Sequence, residues 1–243
     1  MKKIGFLSGN ALKIIAAVAM LIDHIGLMFF PSMTILRIIG RLAFPIFAFM
    51  IAEGCRYTKN KLRHFLTLAA FALVIQVVYF IAMDSLLMSI FVTFSLSIIL
   101  IYSLQYFKKC LFDGECTLIK KILSGLLFVG LVFGAYVLNL YLDIDYGFEG
   151  VMVPVFACLF HSDEKSPPLL EKLDTLPINL IPFCLGLLYM AAVGRSINFY
   201  MTLSIPVLLL YSGKRGTKKL KYFFYFFYPL HLVALYGIDL FIK

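Results

Sequence analysis

The chain has 243 residues, of which 62% are hydrophobic and only 14% are charged. With a mean hydropathy of +0.96, it has too few polar side chains to cover a soluble globule of this length, so the composition excludes a soluble domain and predicts an integral membrane protein. The formal net charge of +9 does not indicate nucleic-acid binding, because the basic residues fall mostly in short segments between apolar runs.

Apolar runs long enough to cross about 30 Å of hydrocarbon follow one another along the chain. They predict membrane-spanning helices near residues 11–30, 34–55, 64–83, 86–107, 118–141, 177–194 and 221–242. Two more runs, 148–161 and 197–212, are marginal in length, and whether they cross completely stays open. The first run follows a Met-Lys-Lys start without a cleavage site, which predicts an uncleaved span. We therefore predict an all-α, polytopic transmembrane helical bundle of about nine spans, with residues 1–243 forming a single domain.

The charges of the connecting segments predict the orientation in the membrane. If all nine runs cross, alternate connections are basic, except the segment 161–175, whose charges are of mixed sign. Their basic residues are Arg56, Lys59, Lys61 and Arg63, then Lys108, Lys109, Lys120 and Lys121, and then Lys214, Arg215, Lys218, Lys219 and Lys221. The connections between them contain Asp84, then Asp143, Asp145 and Glu149, and then Arg195. Because basic loops stay on the cytoplasmic side, this alternation predicts a multi-pass protein of the bacterial cytoplasmic (inner) membrane with its N-terminus inside.

Two ionisable residues stand inside the first two apolar runs. His24 lies in the first run and Arg41 in the second, where an arginine near the centre of a span costs about 2.5 to 3.5 kcal/mol on insertion scales. If the runs are antiparallel and joined by a turn at residues 31–33, both residues lie roughly 10 Å below one membrane face. We expect the two groups to meet at the same depth, with Asp23 and Arg37 as partners.

The first run carries residue types that suit proton transfer. The imidazole of His24 accepts protons near neutral pH, and the neighbouring carboxylate of Asp23 could orient it or raise its basicity. Lys13 precedes His24 by eleven residues, which places both on nearly the same helix face. The alternative is a structural histidine that is hydrogen-bonded across helices. Inside a membrane span and beside a carboxylate, we favour the functional interpretation.

Arg37 and Arg41 are four residues apart and share a helix face. This spacing suits the clamping of a phosphate, a carboxylate or a thioester oxygen. The alternative for Arg37 is a side chain that extends to the membrane interface, so that only Arg41 is buried.

Other polar residues are possible walls of a cavity. His231 and Tyr228 fall near the middle of the last run, and the turn around Tyr146 could shape a mouth on the outer side, although a plain turn is the simpler interpretation. For Glu53, an ion pair with Arg56 at the end of the helix is the simpler one.

Several classes of site are not indicated by the sequence. Nothing has the spacing of a metal site, a phosphate-binding loop, a dinucleotide fingerprint or a serine nucleophile, so we expect no metal. The five cysteines include Cys110 and Cys116 in a predicted cytosolic loop, and we expect free thiols there. His64 and His161 fall at predicted interfaces and are expected to be solvated.

Blocks along nearly the whole chain resemble the TraX family. They are Asn10-Ala11-Leu12-Lys13 through Leu21-Ile22-Asp23-His24-Ile25-Gly26, Arg37 through Phe49 with Glu53-Gly54 and Arg56-Tyr57-Thr58, Asp145-Tyr146-Gly147 with Gly150, and Tyr222-Phe223-Phe224-Tyr225 through Tyr228-Pro229-Leu230-His231-Leu232. TraX is associated with N-acetylation of conjugative pilin, and the family is similar to polytopic acyltransferases that use acyl-CoA. Those enzymes have an arginine, ten intervening residues and a histidine in the first span. Here Lys13 stands in place of the arginine, which keeps the charge but loses bidentate geometry, and His24 aligns with the histidine.

The resemblance implies a membrane-embedded acyltransferase domain that transfers an acetyl group from acetyl-CoA to an amine or hydroxyl of a pilin N-terminus, glycan, peptide or lipid. In this interpretation His24 is the general base or a covalent acyl carrier, Asp23 orients it, and Arg41 stabilises the oxyanion or anchors the acceptor. Lys13 and Arg37 would bind the coenzyme. The expected partners are acyl-CoA, the acceptor and the lipid bilayer, without nucleic acid.

Two other functions stay open at this point. One is a proton-coupled transporter or flippase for an anionic or lipid substrate. The other is an assembly partner for membrane proteins, in which the polar residues serve only helix association.

Overall fold

The structure is a computed structural model that describes residues 5–83, 87–194, 196–216 and 220–242, without the side chains of residues 78, 79, 81–83, 221, 222 and 242. Four residues used to predict the orientation lie outside the described residues: Asp84, Arg195, Lys218 and Lys219. The side chain of Lys221 lies outside them as well. The described part of the chain is all-α and contains no strand, only two isolated backbone bridges, Leu7 with Tyr211 and Met88 with Ile144. The all-α prediction is confirmed.

The helices follow the apolar runs closely. They are α1 Gly9–Met28, α2 Thr34–Gly40, α3 Ala43–Tyr57, α4 Lys61–Met83, α5 Ile90–Phe112, α6 Leu118–Tyr141, α7 Gly147–Phe156, α8 Pro168–Leu173, α9 Leu176–Val193, α10 Ser204–Leu209 and α11 Lys221–Ile242. A 3₁₀ helix, Ser196–Leu203, precedes α10.

Six segments of the described chain are long and apolar enough to cross a membrane. They are Gly9–Met28, Thr34–Tyr57, Ile90–Phe112, Leu118–Tyr141, Leu176–Val193 and Phe223–Phe241. The predicted count of about nine is not confirmed. The predicted run 148–161 forms only the ten-residue α7, which is about 15 Å long, and the run 197–212 forms the 3₁₀ helix and the short α10. Helix α4 has 23 residues but is not among the six, and the side of the N-terminus stays a prediction.

The second predicted span is interrupted. Helix α2 ends at Gly40, Arg41 and Leu42 form a turn, and α3 begins at Ala43. Pro45 explains the break, because its ring clashes with the carbonyl four residues earlier, at Arg41, and it has no N–H to donate there. Arg41 therefore stands at a helix end, although its N–H still donates to the carbonyl of Arg37 at 3.1 Å.

The chain divides into two compact units. Unit 1 comprises Met1–Met50 and Leu187–Lys243, and unit 2 comprises Ile51–Gly186. In unit 1, α1 packs against α2 and α11, and in unit 2, α5 packs against α4, α6 and α7. The single domain over residues 1–243 stays a prediction.

The start of α1 is fixed within unit 1. The hydroxyl of Ser8 caps the helix by accepting from the N–H of Ala11 at 3.2 Å, as expected for an N-cap serine. The N–H of Gly9 donates to the carbonyl of Lys214 at 2.8 Å. Further along, Gly26 lets α2 approach closely, since a Cβ there would lie 2.6 Å from the Cβ of Leu36. These contacts hold α1 in register with its neighbours.

Candidate functional site

A buried ionic cluster in unit 1 joins α1 to α2 and the turn after it. The Nη2 atom of Arg41 donates to Oδ2 of Asp23 at 2.8 Å and to Oδ1 at 3.1 Å. The Nη1 atom of Arg37 lies 2.9 Å from Oδ2 and donates to the Asp23 carbonyl at 3.2 Å. One carboxylate thus serves two guanidinium groups, and the cluster keeps one net positive charge. Arg37 is the more accessible arginine, with 19% of its side chain exposed.

A pair of histidines joins α1 to α11 in the same unit. Nε2 of His231 lies 3.0 Å from Nδ1 of His24, and the ring centroids are 4.9 Å apart. His231 is buried, with 6% of its surface exposed. The sequence predicted both histidines as site residues, but it did not predict their contact.

Hydrogen-bond partners assign the protons of the two neutral rings. Nδ1 of His24 lies 3.0 Å from the Met20 carbonyl, and Nδ1 of His231 lies 2.8 Å from the Phe227 carbonyl. A carbonyl oxygen only accepts, so each Nδ1 carries a proton. Nε2 of His231 then has a lone pair that accepts from Nδ1–H of His24, and this N–H is shared between Nε2 of His231 and the Met20 carbonyl. The lone pair of His24 is on Nε2, and this atom can accept a proton from another molecule.

The role predicted for Asp23 differs from its contacts. Asp23 was expected to orient His24, but its carboxylate binds Arg41 and Arg37, and Nδ1 of His24 bonds to Met20 and His231. Successive residues on an α-helix point about 100° apart. Because Asp23 faces α2, the next side chain is turned toward α11.

Lys13 and Tyr228 also lie between α1 and α11. The Nζ atom of Lys13 is 5.8 Å from the ring centroid of Phe224, a cation–π distance. Tyr228 is buried, and its ring meets His231 edge to face at 5.8 Å. Both predicted residues are therefore on the same pair of helices as the histidines.

The remaining predicted site residues, Glu53 and Tyr146, belong to unit 2. Oε1 of Glu53 lies 4.0 Å from Nε2 of His161, whereas Arg56 binds Asp174 at 2.9 Å through Nη1 and Oδ1. Arg56 also interacts electrostatically with Glu53, so both residues belong to one group of ionisable side chains with Asp174 and His161. Tyr146 adopts a left-handed conformation with φ of 64° directly before α7, as the plain-turn interpretation expects.

The two histidines expected at interfaces have partners. His161 is only 8% exposed, so the prediction that it is solvated is wrong. Burial, together with the nearby charges of Arg56 and Lys108, lowers the pKa of His161 to about 3, against the opposing effect of Asp174. Nδ1 of His64 lies 2.8 Å from the hydroxyl of Tyr102.

Some residues that build the site were not singled out from the sequence. The ring of Phe227 stacks on His231, with centroids 5.1 Å apart and planes 14° apart, and its spacing of four residues on one helix was the available signal. Among the described residues, no group of three His, Cys, Asp or Glu side chains is arranged to hold a metal ion.

Comparisons with known proteins agree with the sequence blocks. A family model described as "TraX protein" matches residues 8–239. The "Probable fimbrial assembly protein FimC, serogroup H1" of Dichelobacter nodosus is 26% identical over 261 aligned positions, which cover 97% of each chain. The protein RP591 of Rickettsia prowazekii (strain Madrid E) is 50% identical over 54 residues, or 22% of this chain and 21% of that protein. No solved structure matches the chain significantly.

Proposed function

This chain belongs to the TraX family, and from that membership we propose that it is a membrane-embedded acyltransferase, which moves an acetyl group from acetyl-CoA to an amine or hydroxyl acceptor. One observation carries the proposal. Inside a membrane-spanning helix, Nδ1–H of His24 is bonded to Met20 and His231, so Nε2 has the lone pair of a base, and the preceding residue, Asp23, belongs to a cationic cluster. A base beside a fixed positive charge is the arrangement that acyl transfer requires.

His24, Arg37 and Arg41 have different roles in the proposed acyl transfer. Nε2 of His24 takes the proton from the acceptor as its nitrogen or oxygen attacks the thioester carbonyl carbon, and it later returns the proton to the departing sulfur. Arg37, the more exposed arginine of the cluster, stabilises the negative charge that forms on the carbonyl oxygen. Arg41 stays bound to Asp23, and its positive charge adds to the stabilisation of the negative carbonyl oxygen.

Lys13 is suited to the phosphates of the coenzyme. It precedes His24 by eleven residues, which is about 16 Å along α1. This separation is comparable to the pantetheine arm, which keeps the thiol of coenzyme A apart from its phosphates. Under the predicted orientation, Lys13 is nearer to the cytoplasm, where acetyl-CoA is available.

The relative from Dichelobacter nodosus is named as a fimbrial assembly protein, and this supports a pilus-associated role. The charges of the connecting segments favour the bacterial cytoplasmic membrane as its location. We therefore place a pilin or fimbrial subunit first among the acceptors. A glycan, another peptide or a lipid would fit the same chemistry.

The first experiment measures binding. Detergent-purified protein should unfold at a higher temperature with acetyl-CoA or CoA than with ATP, because a ligand that binds only the folded state stabilises it by about 2.7 kcal/mol at a concentration of 100 Kd. Lys13→Ala should reduce this shift in unfolding temperature. Lys120→Ala, at an exposed position in the first turn of α6, should leave the shift unchanged. Equal shifts with acetyl-CoA and ATP would contradict the proposal.

The second experiment measures transfer. Membranes that contain the protein should incorporate radiolabel from [¹⁴C]acetyl-CoA, and His24→Ala should abolish incorporation while leaving membrane insertion and the thermal shift with CoA unchanged. Incorporation at the wild-type rate would remove His24 from the mechanism.

A proton-coupled transporter is the second candidate, since hydrogen-bonded ionisable residues inside the membrane also conduct protons. It predicts proton flux in liposomes without acetyl incorporation, so the same protein preparation distinguishes the two functions.

A further inference from the structure

We propose that His231 takes up the Nδ1 proton of His24 when Nε2 of His24 removes a proton from the acceptor, so that the two histidines form a relay instead of a single base with a structural neighbour. This inference rests on the proposed acyl transfer, and it assigns His231 a positioning and proton-storing role in it.

The hydrogen bonds form a chain with one direction. At one end, the Phe227 carbonyl accepts from Nδ1–H of His231. Nε2 of His231 accepts in turn from Nδ1–H of His24. At the other end, Nε2 of His24 has a free lone pair. The N···N distance of 3.0 Å is that of a normal hydrogen bond. When Nε2 of His24 gains a proton, the proton on Nδ1 can therefore pass to Nε2 of His231 without movement of either ring.

After this transfer, His24 is neutral with its proton on Nε2, and His231 is the cation. The relay thus moves the positive charge from α1 to α11, away from the helix on which Asp23 binds Arg37 and Arg41.

The groups around His231 stabilise the protonated form of its ring, the imidazolium. Its ring stacks on Phe227 at 5.1 Å and meets Tyr228 at 5.8 Å, and aromatic rings attract a cation. The hydrogen bond of Nδ1–H to the Phe227 carbonyl at 2.8 Å strengthens when the ring is charged. Lys13 of α1 also lies against α11, with its Nζ atom over the ring of Phe224.

The reaction balances over one cycle. The acceptor atom forms a bond to the acetyl carbon and loses one proton to Nε2 of His24, while Nδ1–H of His24 passes to His231. The carbon–sulfur bond breaks, the sulfur takes the proton from Nε2 of His24, and His231 returns its proton to Nδ1. Both rings end as they began.

Two substitutions at residue 231 distinguish storage of a proton by His231 from positioning of the His24 ring. In His231→Gln, the amide oxygen can still accept from Nδ1–H of His24, but it cannot store a proton, whereas His231→Phe removes both functions. We expect His231→Gln to lower kcat for [¹⁴C]acetyl transfer by about 100-fold or more, as removal of a general acid–base group does. Its KM for acetyl-CoA and its unfolding temperature should stay near those of the wild type. Full activity of His231→Gln, with loss only in His231→Phe, would show that His231 merely orients the ring and would overturn the relay.

A measurement without acetyl-CoA keeps the test independent of the proposed function. In ¹⁵N-histidine NMR of the wild-type protein in detergent, with His24→Gln and His231→Gln used for assignment, both neutral rings should be protonated on Nδ1. The first proton added on acidification should leave His231 protonated on both nitrogens and His24 on Nε2 alone. A first proton that stays on His24 would contradict the relay, even in a protein that transfers acetyl groups. If the NMR result is as expected but no acetyl transfer occurs, the proposed function fails while the histidine pairing stands.

Discussion

Gly40 lies so close to Asp23 that a Cβ atom at the glycine would overlap the aspartate side chain. Since the atoms affected include the Cβ of Asp23 as well as its carboxyl group, a rotamer change alone would not relieve the overlap. The glycine at the end of α2 thus lets Arg41, the next residue, reach the carboxylate at 2.8 Å. The geometry of the ionic cluster depends on the absence of a side chain at this position.

Gly40→Ala should therefore displace Asp23 from Arg41. We expect the protein to lose about 1 to 3 kcal/mol of unfolding free energy, as overpacked sites do, and to lose acetyl incorporation. The matched control is Gly130→Ala in α6, where a Cβ would meet nothing within 4 Å. Thermal unfolding in detergent measures both variants, and equal unfolding temperatures would show that α1 and α2 can separate without cost.

Asp23→Asn should destabilise the protein strongly, because it leaves the buried Arg41 and the half-buried Arg37 without their carboxylate. Loss of one partner of a buried ion pair costs about 3 to 5 kcal/mol. Asp23→Asn combined with Arg41→Gln should recover part of this loss, since one fewer buried charge is left unpaired, and a double-mutant cycle measures the coupling. Asp113→Asn, which breaks the exposed pair with Lys165, should have a much smaller effect. A cycle without coupling between residues 23 and 41 would contradict the cluster.

The sequence predicted the long helices better than the breaks. Helix α6 forms over Leu118–Tyr141, the same residues as the predicted span, because Thr117 caps its N-terminus and a long apolar run follows Lys120 and Lys121. The interruption at Arg41 was not predicted. Pro45 was the available signal in the sequence, but whether a proline kinks or ends a membrane helix depends on which neighbours satisfy the released carbonyl.

For the candidate site, the sequence identified the polar residues but not all of their partners. Asp23, His24, Arg41 and His231 stand out because charge and imidazole are rare in apolar runs. The sequence could not show that Asp23 faces α2 while His24 faces α11, since this depends on the rotation of α1 against both neighbours. The burial of His161 could not be predicted either, because it arises from contacts with residues far away in the sequence, such as Glu53.

The predicted orientation can be tested at the connection between α5 and α6. Cys116 in this connection is partly accessible, whereas Cys110 is buried. A membrane-impermeant maleimide should label Cys116 in inverted membrane vesicles but not in intact spheroplasts, because the basic residues near this loop predict a cytoplasmic side. The experiment uses a Cys184→Ser background, and Cys116→Ser is the control. Labelling in intact spheroplasts would place the loop outside and reverse the predicted orientation.

Acid should destabilise the protein through His161. Its folded pKa of about 3 lies below its usual 6.5, mainly through burial, so between these values the unfolded chain binds more protons than the folded one. The unfolding free energy should then fall as the pH is lowered below 6.5, by at most roughly 1.4 kcal/mol per pH unit. The charged groups that face the ring are Glu53, Arg56, Lys108 and Asp174.

His161→Gln should make this dependence less steep between pH 6.5 and about 4.5, because glutamine does not titrate. Asp174 does not interfere in that window. Its burial is outweighed by hydrogen bonds from the Ser162 N–H and Arg56, so its pKa lies below 3.8, and its contribution is lost only at lower pH. Thermal unfolding of both proteins in detergent across this range makes the comparison. Parallel curves for the wild type and His161→Gln would mean that another group causes the acid sensitivity and that His161 accepts a proton in the folded protein.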